Sequence, residues 1–181
     1  MILQRVEQSE WLSNAYLAVD EIGGTGVLID SNLATDPLCE RAEREGTTIT
    51  HILLTHHHHD HVVGVEQLAE RFGGIPVLAH PLCREIVGDA VTGTIDHGDV
   101  VETGDLRIEA IHTPGHCGDH LALRINDGDC ITADVILRAR SAVPGRRARR
   151  ASATSRPRSW TASWGFPTTS GSTPATASRR P

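Results

Sequence analysis

Thr55-His56-His57-His58-His59-Asp60-His61 is the stretch on which the reading of this chain turns. It follows directly on His51-Ile52-Leu53-Leu54, a run of the kind that forms a short buried strand. Neutral imidazoles and a carboxylate are the ligands that zinc and related ions prefer. Side chains alternate along an extended chain, so a strand running briefly past Leu54 points His56 and His58 the same way. Asp60 has the same parity, and His61 follows as the loop turns into a helix. One loop can thus supply four ligands, two to each of two neighbouring metals. A run of histidines can also be a solvated polar loop. The carboxylate embedded at a ligand-like spacing favours the metal reading.

Outward from this loop, strands and helices alternate. Asn14–Val19 and Gly26–Asp30, joined through Gly23-Gly24, predict an antiparallel pair. Asp36 is expected to cap a helix to Glu45 with Leu38 and Ala42 on one face. Val65–Phe72 has helical spacing and stops at Gly73-Gly74. Ile75–Ala79, Leu106–Ile111, Leu121–Ile125 and Cys130–Ala133 read as further strands, the last two joined by the hairpin turn Asn126-Asp127-Gly128-Asp129. The class is α/β (α+β), with strands leading into histidine-rich loops.

The histidine loop resembles the HxHxDH signature of the metallo-β-lactamase-fold hydrolases, and its repeated histidines look most like the glyoxalase II (hydroxyacylglutathione hydrolase) branch. Thr113-Pro114-Gly115-His116 looks like that family's TPGH motif, and Thr132-Ala133-Asp134 looks like its TGD motif. The three stand in the family's order, so the resemblance covers residues 1–137. It implies an αβ/βα four-layer sandwich. It also implies that His56, His58 and His116 hold a first metal, that Asp60 and His61 hold a second, and that Asp134 bridges the two. Ala133 stands where the family has glycine, a strain if the backbone there needs a positive φ. Two divalent cations roughly 3.5–4 Å apart would lower the pKa of a water between them toward about 7. The resulting metal-bound hydroxide would attack a thioester, ester or lactone carbonyl. Asp60 would orient it as the catalytic carboxylate. The implied cofactor is Zn2+ at two sites, with iron as the alternative metal.

The other histidines carry blander expectations. His57 and His59 fill the variable positions of the motif, either behind the ligands or facing solvent. His51 is structural, and His80 follows a strand and has a bland role. His97 is a turn residue, while His112 and His120 pack beside the TPGH motif. Cys117 is a small packed residue rather than another ligand. Pro114 and Gly115 fix the turn that aims His116.

Composition divides the chain at residue 137. All 23 acidic residues precede residue 135, whereas ten of the 17 basic residues follow residue 137 and no lysine occurs anywhere. Residues 1–137 are therefore expected to form the metallo-β-lactamase-like domain. Residues 138–181 are an aberrant Arg/Ser/Ala/Thr-rich tail, disordered or out of frame. The family places one more ligand, a histidine in a PGHG-like motif, after the bridging aspartate, and no histidine follows His120. Shifting the tail by one base makes Trp160-Thr161 read Asp, because TGG followed by AC contains GAC. It also lets Thr173–Ala177 read PGHG. The tail thus has the composition of a GC-rich gene read out of frame. Its three aromatics do not interleave with the arginines, so a nucleic-acid-binding arm is not expected.

No apolar run reaches the roughly 18–20 residues of a membrane span, and the first residues lack the apolar core of a secretory signal. The four cysteines are far apart. A cytoplasmic chain with reduced thiols and no membrane contact follows from these features. The expected activity is metal-dependent hydrolysis of a small-molecule thioester, ester or lactone, impaired here by loss of the last His motif. A mononuclear iron persulfide dioxygenase, a lactonase or nuclease of the same fold, and a non-catalytic or defective truncated metal-binding protein are the alternatives. Sequence leaves the oligomeric state open.

Overall fold

The computed structural model of the chain describes residues 1–136, which fall within one compact unit. The tail assigned to residues 138–181 lies outside the described residues.

A six-stranded sheet takes the order β1 (Ile2–Glu7), β2 (Asn14–Val19), β3 (Thr25–Ile29), β4 (Thr48–Leu53), β5 (Val77–Ala79), β6 (Gly93–Thr94). The first three strands are antiparallel, and β3 to β6 are parallel. The parallel crossovers carry α1 (Asp36–Glu45), the short α2 (His59–Val62) with α3 (Val65–Arg71), and α4 (Pro81–Val87). A second, antiparallel sheet is built from β7 (Val100–Thr103), β8 (Leu106–His112), β9 (Leu121–Ile125) and β10 (Asp129–Ile131). A 3-10 turn at Ala133–Ile136 ends the described chain.

Period-two alternation sorts the core into two layers. Leu28, Ile52 and Leu54 face the helices, where they meet Leu38, Cys39 and Ala42 of α1, Val65 and Leu68 of α3, and Cys83 of α4. Val27, Ile29 and Leu53 face the other way, onto Leu106, Ile108, Leu121, Leu123 and Ile125 of the second sheet. The described residues thus form three layers, helix on sheet on sheet, of the expected sandwich. Gly26 allows β2 and β3 to approach, since a Cβ there would sit 2.5 Å from Val19 Cγ1.

The expected antiparallel pair forms with Tyr16 opposite Ile29 and Val19 opposite Gly26. The helix over Asp36–Glu45 is present with Leu38 and Ala42 buried, but its cap is Thr35 rather than Asp36. The Thr35 hydroxyl is committed to Asn32, accepting from its N–H at 2.9 Å and donating to its carbonyl at 2.8 Å. Sequence reasoning did not anticipate β1, α2, α4, β6 or β7. Among the described residues no helix is long and apolar enough to cross a membrane.

Candidate metal centre

Four loops meet at one end of the sheets. Two leave the C-terminal ends of the parallel strands β3 and β4, where open α/β sheets place their ligand sites. These carry Asp30-Ser31 and Thr55–His61. The third joins β8 to β9 and carries His116, and the fourth follows β10 and carries Asp134. Backbone bonds tie them together: Leu121 N–H donates to Thr55 O at 2.8 Å, and Ser31 N–H donates to His61 O at 2.8 Å.

The strand ends at Leu53 and the chain bends at Thr55, while His58, the residue that caps α2, is extended. His56 and His58 share a side, as expected, but by way of this bent loop and not of a continuing strand. Asp60 and His61 reach the site differently, from the first turn of α2 and not from a continuing strand. His58 Nδ1 lies 3.1 Å from His56 Nε2 and 2.9 Å from His116 Nε2. Ligand nitrogens around a tetrahedral zinc would stand about 3.3 Å apart at ordinary bond lengths, so the three imidazoles already hold nearly that spacing. Asp134 Oδ2 is 3.5 Å from His116 Nε2, 3.9 Å from His56 Nε2 and 3.6 Å from His61 Nε2. Asp60 Oδ2 lies 3.7 Å from His61 Nε2. The carboxylate of Asp134 thus stands between a three-histidine set and the Asp60–His61 pair.

Protonation is set by residues behind the ligands. Asp30, 1% exposed, accepts from Thr55 N–H at 2.7 Å, from the Thr55 hydroxyl at 2.8 Å and from His61 Nδ1–H at 2.8 Å. His61 Nε2 then faces the site, buried with no hydrogen-bond partner among the described residues. The Thr55 hydroxyl, having donated to Asp30, accepts from His56 Nδ1–H at 3.0 Å, which turns a lone pair of His56 Nε2 toward the site. Carboxylate support behind a ligating histidine is the usual way to fix its tautomer. The donor set, with its orphaned buried nitrogen, fits a divalent cation.

Burial pushes the His56 imidazole down to about 2, with His61, His120 and His58 adding repulsion, so it stays neutral and able to ligate. Burial and the neighbouring His116 lower His58 as well. His61 goes the other way, up to about 10: burial opposes its charge, but the carboxylates of Asp134 and Asp30 on its two sides outweigh it, so without a cation Nε2 holds a proton that a metal ion would displace. The neighbouring His61 imidazole holds Asp134 below the usual carboxylate range. The Asp30–His61–Asp134 line thus carries a surplus of negative charge that attracts a cation.

The remaining histidines are mostly structural. His57 gives both its backbone N–H and Nδ1–H to the buried Asp119, each at 2.8 Å, which locks the histidine loop to the His116 loop. His59 is exposed, with Trp11 edge-on to its ring at 5.4 Å. His120 stacks on His56 at 5.0 Å. His51 Nδ1 is 2.9 Å from Thr50 Oγ1. His80 accepts from Leu82 N–H at 3.2 Å as the cap of α4 and stacks on His112 at 4.4 Å. His112 donates to Gly118 O at 2.8 Å, and His97 in its turn accepts from His112 N–H at 3.3 Å. Cys117 adjoins Asp119 and His57. Asp30 and Asp119 were missed by sequence reasoning. The one local signal was the place of Asp30 at the end of a buried strand.

The profile of the Metallo-beta-lactamase superfamily matches residues 9–168. Over 107 residues the chain is 37% identical to a hydroxyacylglutathione hydrolase of Bradyrhizobium sp. (strain BTAi1), a stretch that is 59% of this chain and 41% of that protein. The chain therefore spans less than half the length of the curated relatives it matches. Among solved structures, ETHE1 from Myxococcus xanthus aligns with a TM-score of 0.60 at 30% identity over 70% of this chain and 55% of that one. A metallo-beta-lactamase from Staphylococcus aureus shares the fold, with a TM-score of 0.59 at 23% identity over 70% of this chain and 39% of that one.

Proposed function

The chain belongs to the metallo-beta-lactamase superfamily, and from that premise we propose that it is a zinc-dependent hydrolase of the glyoxalase II type, acting on a thioester, ester or lactone of a small molecule. The observation that carries this reading is the convergence of His56 Nε2, His58 Nδ1 and His116 Nε2 to within about one hydrogen-bond length, beside the orphaned His61 Nε2. His56, His58 and His116 would hold one cation, Asp60 and His61 the other, with Asp134 shared between them. Cations there would lower the pKa of water toward neutrality and polarise a carbonyl oxygen. Asp60, a quarter exposed, orients the attacking water by accepting one of its protons. His57 and Asp119 hold the loop that carries His56 and His58. The mononuclear iron reading differs in leaving Asp60 and His61 without a cation, and metal analysis separates the two.

Residues 138–181 are, we propose, out-of-frame sequence in place of the final ligand histidine, so turnover by this chain is slow. Hydrolysis of an S-acyl thioester, followed by thiol release in the zinc-loaded chain and in His58→Ala, tests the function. Slow turnover that His58→Ala abolishes supports it. Turnover equal in the two chains refutes it.

A further inference from the structure

Trp11 stands on the loop between β1 and β2 with 45% of its surface exposed. A large aromatic left this open is informative where a small exposed apolar residue is not. Its loop is tightly built. The buried Gln8 side chain accepts from Glu10 N–H at 2.9 Å and from Trp11 N–H at 2.7 Å. Leu12 N–H donates to Gln8 O at 2.8 Å, and Gln8 N–H donates to Ser13 O at 2.9 Å. Asn32 anchors the far side by donating to Ser13 O at 3.2 Å. Between these bonds Leu12 is held at φ +64°, a conformation that costs a branched side chain energy. Strain of this kind persists where the surroundings over-determine it, and it concentrates at functional sites.

The loop reaches the start of α2, where the Trp11 and His59 rings lie 5.4 Å apart. Trp11, Glu10, His59 and Asp60 line an open cavity of about 490 Å³ at the surface. Asp60 belongs to both places, since its Oδ2 is 3.7 Å from His61 Nε2. A group seated against the indole is therefore next to the centre. The lining is acidic apart from Trp11 and His59. The body around it holds all 23 acidic residues of the chain and no lysine.

We propose that this cavity is the subsite for an uncharged aromatic or apolar substituent of the substrate, with Trp11 as its specificity-determining residue and Glu10 turning away anionic substituents. The proposal rests on the hydrolase reading of the adjoining centre and adds the class of substrate. An indole face offers dispersion and stacking to a flat apolar group, while a carboxylate beside it repels an anion and leaves it without a counter-charge.

The test uses the full zinc-loaded chain and S-phenylacetyl, S-acetyl and S-succinyl thioesters of 2-mercaptoethanol. The expected kcat/KM favours phenylacetyl over acetyl by about tenfold. That ratio falls to near one in Trp11→Ala and is largely kept in Trp11→Phe, while Glu10→Gln raises the relative rate on the succinyl thioester. An unchanged ratio in Trp11→Ala overturns the proposal. A second measurement needs no turnover. The Trp11 indole N–H resonance, assigned with Trp11→Phe, is followed while phenylacetamide or acetamide is added. A saturable shift with phenylacetamide alone is expected, and no shift overturns the proposal. Zinc content is measured throughout. A saturable shift in a zinc-loaded chain that hydrolyses none of the thioesters keeps the subsite and removes the hydrolase reading. Hydrolysis with an unchanged ratio in Trp11→Ala does the reverse.

Discussion

Asp30 Oδ2 lies 2.8 Å from His61 Nδ1, and the same carboxylate holds Thr55, which in turn bonds His56. One buried side chain therefore sets the tautomers of a histidine in each half of the site. Asp30→Asn keeps the shape and tolerates the φ of +60° found there, but it cannot accept all three bonds. Zinc affinity measured by competition with a chelating dye should fall about 10–100-fold, and the thermal midpoint of the metal-free protein should fall as well, because a buried donor loses its acceptor. Unaltered affinity would show that Asp30 serves packing alone.

Ala133 adopts φ +39°, immediately before Asp134. The condition under which this alanine would be a strain is thus met, and a Cβ there costs about 1–2 kcal/mol. Ala133→Gly removes that strain but loosens the unfolded chain by about 0.4–1 kcal/mol. The net expectation is a gain of up to about 1 kcal/mol in denaturant unfolding, together with tighter zinc binding as Asp134 relaxes into place. A destabilised Ala133→Gly chain would contradict this.

Asp119 gives a pH signature. Burial favours its neutral form, but the bonds from Cys117 and His57 prevail and hold it down to about 2. Its ordinary value is 3.8, so the unfolded chain binds the proton first as pH falls. The stabilisation, on the order of 2 kcal/mol, is therefore complete above about pH 4 and lost on the way to pH 2. Urea unfolding of the metal-free protein should lose this increment in that window, and Asp119→Asn should flatten the limb. An identical acid limb in Asp119→Asn would remove the assignment.

Re-reading the coding DNA from the Asp134 codon past the Pro181 codon tests the proposed frame. One base missing or extra is expected between codons 137 and 145. Restoring it should bring back a PGHG histidine, raise second-site zinc affinity and speed thioester hydrolysis. A confirmed frame would make the tail a genuine part of the chain.

The candidate ligand set was legible because most of it is contiguous. His56, His58, Asp60 and His61 sit within six residues, and His116 and Asp134 are flagged by their own short motifs. Asp30 and Asp119 were not legible, because the partners that give them meaning lie 31 and 62 residues away. The same division runs through the fold. Val27, Leu28 and Ile29 alternate between two cores, so β3 declares itself. The strands β1 and β7 are sheet edges with mixed polar patterns, and neither does. Pro81 hides α4 by suggesting a break, yet proline is tolerated in a first helical turn and His80 supplies the cap.

Metal-dependent hydrolysis is tested by removal and return of the metal. The purified full chain is stripped with a chelator, its zinc content is measured, and thiol release from an S-acyl thioester is followed as zinc is added back. Slow hydrolysis is expected to vanish with the metal and to return with it, first as the His56–His58–His116 set fills. Hydrolysis that persists in the metal-free chain, or a chain that takes up no zinc, would contradict it.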